Sequence, residues 1–332
     1  MFGRVDLSMD FKQPMYKTVI LTATVLITAL LWAFVHFPEG NLLIAVLAAL
    51  TAVRISAFAS GYMRLRGVIS ITAGAAILQY VVSITYDLQL FNVLLPAAVG
   101  YIILRIMSGN SAHIVLLAGC LAYTALPGAA AGAERVVDIF FAGGTAWVAA
   151  MLACGAKTLD CSDDPGKPLP PAEAFKETLM LFCGLFLYKA FAIVQGIWIT
   201  LTVIFICMLR QPGESNIKLV RQRIFSVPLG IMLGGIYSAA AVTADYRFAY
   251  FMPLIAAAGF FMLYYRHDFF LFSLFFMFAF TIYADWMSGN LHEFNFQQLL
   301  IARSLATVTG GAILLIFEKL ATGCSNKQGR AA

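Results

Sequence analysis

The sequence predicts an all-α polytopic membrane protein of about 12 transmembrane helices, arranged as two parallel six-helix repeats. Three observations predict it. Of the 332 residues, 61% are hydrophobic and only 12% are charged, against roughly 25% charged in a soluble domain. Lipid rather than water must therefore solvate much of the apolar surface. The apolar residues fall into a dozen runs, each bounded by charges or turn residues. Lys157 to Lys176 is the one sizeable polar stretch, and it divides the chain almost in half.

Six runs lie near 17–36, 41–57, 67–86, 89–106, 111–128 and 135–154, and six more near 174–194, 197–210, 224–243, 248–265, 268–286 and 299–318. A helix needs about 20 residues to cross the hydrocarbon core, and most runs reach that length. Residues 1–156 and 174–332 are the expected repeats, with 157–173 as a cytoplasmic linker. The polar stretch Met1–Met15, and the lack of a small-residue cleavage site after Val35, predict no cleavable signal peptide.

Lys and Arg set the orientation. With the N-terminus inside, only Arg135, Arg247 and Arg303 fall outside, and Lys189 lies within a span; every other Lys and Arg is cytoplasmic. Both termini are then cytoplasmic. The net charge of +5 is accordingly a topology signal and does not point to nucleic acid. The six cysteines show no C-x-x-C spacing and read as reduced, small apolar residues.

The halves align weakly but in order. At an offset of 156, Gly40, Arg54, Ser70 and Gly74 meet Gly196, Arg210, Ser226 and Gly230. Farther on, AAVG at 97–100 meets AAAG at 256–259, and Arg135 with Gly143 meets Arg303 with Gly311. Six spans per half makes the repeats parallel.

Two short spans mark a candidate site. Only 13 residues separate Gly40 from Arg54, and Gly196 from Arg210. At about 1.5 Å per residue neither can cross a core of about 30 Å. Interrupted spans at matching positions point to a transporter's binding site, unless each helix continues through its arginine. Lys189 sits inside the seventh span, where it either faces an anionic solute in the bundle or snorkels outward. Gln79, Gln195, Thr200 and Thr202 are polar groups in apolar settings, suited to a substrate or to helix–helix hydrogen bonds. Trp198, with Trp32 and Trp286, fits either an interfacial anchor or, for Trp198, a cavity wall. Arg135 and Asp138 can pair along one helix face, and His113 reads as structural. The acidic group Asp160, Asp163 and Asp164 reads as solvated linker. No metal, cofactor or catalytic motif is found, so the chain is not expected to be an enzyme, and uphill transport would draw on an ion gradient or another subunit.

The stretch GIWITLTVIFICMLRQPGESNIKLVRQRIFSVPLG, from Gly196 to Gly230, resembles the signature of the fusaric-acid-resistance superfamily. Trp198, Thr200, Gln211, Pro212, Arg223 and Gly230 match that pattern, Ser226 stands where it has glycine, and Arg303 with Gly310 matches its later Arg–Gly pair. The large cytoplasmic domain common in the family's exporters is missing. The resemblance implies efflux of small hydrophobic or aromatic carboxylic acids across the bacterial inner membrane, and a periplasmic adaptor as partner. Arg54, Arg64, Arg66, Arg210, Arg221 and Arg223 would gather anions at the inner mouth, and Lys189 would meet the carboxylate at depth. A passive organic-anion channel like the family's plant malate-channel relatives, and a non-transporting membrane scaffold, are the alternatives. Small-residue faces also leave room for a homo-oligomer.

Overall fold

The computed structural model describes residues 11–35, 44–46, 48–49, 61–84, 90–107, 112–113, 115–117, 119–120, 133–154, 168–191, 193, 196–210, 215–243, 247–287 and 296–328. Arg54, Gln195, Gln211, Pro212 and the acidic linker residues lie outside them, as do the side chains of Arg64, Arg135, Arg247 and Trp286.

All the regular structure described is helical. Ten helices have defined ends: α1 (Lys12–Val35), α2 (Gly61–Ile84), α3 (Phe91–Ile106), α4 (Ala133–Cys154), α5 (Pro171–Ala190), α6 (Ile197–Leu209), α7 (Asn216–Thr243), α8 (Arg247–Tyr264), α9 (Phe269–Met287) and α10 (Phe296–Gln328). Helical residues at 44–46 with 48–49, and at 112–113, 115–117 and 119–120, bring the total to twelve. Segments Lys12–Trp32, Val136–Ala153, Asn216–Ala241 and Phe296–Leu320 are long and apolar enough to cross a membrane, and several shorter apolar helices accompany them. The chain reads as a multi-pass membrane protein.

Its surface is built for hydrocarbon. Phe34, Ile69, Phe140, Phe141, Leu152, Phe186, Ile236 and Leu305 are exposed, while Arg223, Arg303, Gln79 and Asp285 are buried. That is the reverse of a water-facing fold. Helix α1 shows how local sequence accommodates this. Ile20, Thr24, Thr28 and Trp32, four residues apart, form its buried stripe. Thr24 and Thr28 return their hydroxyls to the carbonyls of Ile20 and Thr24, both at 2.7 Å, so these buried hydroxyls are satisfied within the helix.

Helix α6 is the centre of the second half. Every residue from Ile197 to Ile206 is buried; it is apolar on all sides because it is enclosed on all sides. It packs on α5, α7 and α10. Only 13 residues long, it ends at Arg210, whose backbone is extended, and Pro212 follows in the sequence. The eighth run thus stops at its arginine and does not continue as helix. Close approach of α10 to α6 requires Gly310: a Cβ there would stand 2.5 Å from the Ile199 carbonyl oxygen, a backbone atom that cannot swing aside. Around this centre α7 packs on α9 and α10, and α8 on α9, while α1 meets α4 and α8, α2 meets α4, and α3 meets α5.

Candidate functional site

Trp198 and Phe205 are seven residues apart on α6, so they share one face, separated by roughly 10 Å along the axis. Phe276 and Phe280, one turn apart on α9, bridge them. Trp198 meets Phe280 edge-on at 5.0 Å between centroids, Phe280 stacks on Phe276 at 6.4 Å, and Phe276 meets Phe205 at 4.7 Å. The four rings form a continuous ladder.

An arginine closes each end. The Arg303 guanidinium, carried by α10, lies 3.4 Å from the Trp198 ring centroid and 4.4 Å from that of Phe280. The Arg223 guanidinium, carried by α7, lies 4.5 Å from the Phe205 centroid, and its Nη1 donates to the Ser273 hydroxyl at 2.9 Å. Arg223 is 1% and Arg303 4% exposed. Among the described residues the Nε of Arg223 has no hydrogen-bond partner, and Arg223 makes no ion pair there. The charge of Arg223 also bears on Arg303.

Burying a guanidinium at membrane depth costs about 2.5–3.5 kcal/mol on insertion scales. A desolvated cation–π contact returns about 2 kcal/mol, and two like charges oppose each other. Among the described residues, one ring and one neutral hydroxyl therefore leave Arg223 under-compensated. An anion between the arginines would gain charge-assisted hydrogen bonds, and a flat apolar body attached to it would lie against the ring edges and faces.

The sequence-derived candidates separate in space. Trp198 is in the ladder and buried, and Trp32 is buried as well. Arg223 differs most from expectation: placed at a solvated mouth by its position near Arg221, it is carried inward by two turns of α7. Arg66 and Arg210 are exposed, in keeping with a solvated mouth. Arg303, expected to have a structural or coupling role, forms one end of the ladder. Thr202 lies at the α6–α10 crossing beside Gly310. Thr200 is on the opposite face of α6, against Gly184. It lines a small apolar cavity of about 20 Å³ with Leu78, Pro96, Gly119, Leu181 and Leu185. Neither threonine hydroxyl has a hydrogen-bond partner among the described residues. Gln79 is buried on α2, Asp138 is half-buried on α4, and Lys189 sits in the last turn of α5 with Nζ 5.4 Å from the Tyr188 ring. None of these three is in the ladder. Phe205, Phe276, Phe280 and Ser273 are members that sequence reasoning missed. The usable signal was the seven-residue spacing of Phe205 from Trp198.

No family model matches the chain, and no curated protein or solved structure matches it. The likeness to the fusaric-acid-resistance superfamily rests on the residues quoted above.

Proposed function

We propose that this chain is a membrane transporter for small organic anions with an apolar, aromatic body, and that the ladder from Arg223 to Arg303 is its binding path. The observation that carries the reading is the pair of buried guanidiniums with aromatic rings joining them. A channel for inorganic ions would have little use for the rings, and a scaffold little use for the charges. In the positive-inside orientation Arg223 is the inner station and Arg303 the outer one. An acid arriving among Arg66 and Arg210 would exchange its hydration for Arg223, then pass along the rings to Arg303. The direction, export across a bacterial inner membrane, follows from the superfamily resemblance.

The same reading includes the two parallel repeats, which the packing supports. Pairing α1 with α5, α2 with α7, α3 with α8 and α4 with α10 relates α1–α4 to α5–α10, and α2–α4 to α7–α10. It also relates the two contacts between halves, α1–α8 and α5–α3, to each other. Gly74 and Gly230, aligned in sequence, both stand at close contacts, with Val115 and with the α9 backbone at Leu274.

The test is flux. Purified protein in liposomes is expected to carry radiolabelled benzoate above the leak of empty vesicles, and Arg223→Gln or Arg303→Gln to return it to that leak. Carriage of chloride as readily as benzoate would favour a general anion channel. No flux of any organic anion would leave the scaffold.

A further inference from the structure

At the Arg210 end of α6 a titratable pair joins the two halves. His113, 5% exposed, lies in helical backbone, and its Nε2 is 2.9 Å from Oε2 of Glu177 on α5. Glu177 also lies against the thiol of Cys207, two residues beyond Phe205 on α6. The pair is therefore set just past the Arg223 end of the ladder, where the halves must part for a solute to reach Arg223 from that side. Charged neighbours surround it. Glu173 and Lys176 share α5 with Glu177, and Arg210 ends α6. Arg105 of α3 donates from Nη1 to the Leu169 carbonyl at 2.5 Å. Lys218 and Arg221 of α7, with Glu318 and Lys319 of α10, lie towards the same end.

A buried histidine facing a carboxylate in a membrane bundle is a recurrent proton carrier, because its charge changes within the working pH range. We infer that His113 and Glu177 bind the proton that couples transport to a pH gradient. With the proton on the imidazole, the link is charge-assisted and holds the halves together. When the imidazolium gives up one proton to water at this end, the link falls from a charge-assisted to a neutral hydrogen bond, and the halves part more readily. No other bond is made or broken. The order matches antiport: a proton delivered to this side unlocks the entrance through which the anion reaches Arg223. The inference rests on the transporter reading.

Two fluxes of radiolabelled benzoate in liposomes separate the claims. Tracer exchange at equal pH and equal benzoate needs no driving force, whereas accumulation under an imposed pH gradient does. For His113→Gln and Glu177→Gln the expected result is exchange within about twofold of wild type and accumulation reduced at least tenfold. Glu177→Asp should retain part of the accumulation. Accumulation at the wild-type level in both glutamine variants would overturn the coupling role and leave the transporter intact. Loss of exchange together with accumulation would also overturn it, by making the pair a structural link. If the wild-type protein fails to exchange benzoate, the transporter reading itself falls, and the coupling role with it. A readout free of flux is proton release on adding benzoate to lightly buffered, detergent-solubilised protein. Release from wild type and none from either glutamine variant is expected; equal release from all three would contradict the assignment.

Discussion

The crossing of α2 with α4 in the first half of the chain and the crossing of α7 with α10 in the second are built from different chemistry. The first is lined by Ala75, Ala76, Ala142, Ala146 and Ala149, with Gly143 against the Thr72 side chain, a small-residue interface typical of helices in lipid. The second carries Arg223 and Arg303 against aromatic rings. At the offset of 156, Arg223 faces Gly67, Trp198 faces Leu42 and Phe205 faces Ala49 in the first half. Among the described residues, the first crossing is thus packed for close helix approach, and the second half carries two buried charges. Helix packing alone does not require guanidiniums at membrane depth, and on the transporter reading proposed above these two are where the anion would be handled.

The strongest way to break this comparison is to remove the charges. A charged hydrogen bond contributes about 1.5–3 kcal/mol, so Arg303→Gln should lower benzoate flux about tenfold to hundredfold. Arg135→Gln, its aligned counterpart in the first half, should lower it less than threefold. Equal losses would mean that the halves share the work.

Next in size is a steric test of the α6–α10 crossing. Gly310→Val forces a side chain into the Ile199 backbone and should destabilise the protein by about 1–3 kcal/mol, read as a lowered unfolding midpoint in detergent. Gly144, where an added Cβ meets nothing within 4 Å, should accept alanine with no shift.

Smaller effects sharpen the account of the ladder. Phe280→Leu keeps the apolar volume but removes a ring over which the Arg303 guanidinium lies. Loss of a cation–π contact worth about 0.5–2 kcal/mol should raise the apparent KM for benzoate by about twofold to thirtyfold with little change in maximal flux. Ser273→Ala, which removes one neutral hydroxyl from Arg223, should weaken binding by only a few-fold.

Much of the fold was legible because a membrane leaves few choices: apolar runs, bounding charges and the polar linker each carry direct information. The short eighth run was readable as well, since Arg210 and Pro212 both stop a helix in lipid. The site was legible only in part. Trp198, Arg223 and Arg303 stood out by residue type, but Arg223 read as a solvated charge because its neighbour Arg221 is one, and only the helical rotation between them separates buried from exposed. Phe276 and Phe280 were invisible, since in a helix as phenylalanine-rich as α9 a ring facing the bundle looks like a ring facing lipid. His113 and Glu177 lie 64 positions apart, and no local pattern connects them.

The central claim is that an aromatic anion is held between Arg223 and Arg303, and calorimetric titration of benzoate into the detergent-solubilised protein tests it most directly. The account predicts one saturable site in the wild type, a weaker site in each of Arg223→Gln and Arg303→Gln, and no detectable heat of binding in the double variant. Wild-type affinity in the double variant would contradict it.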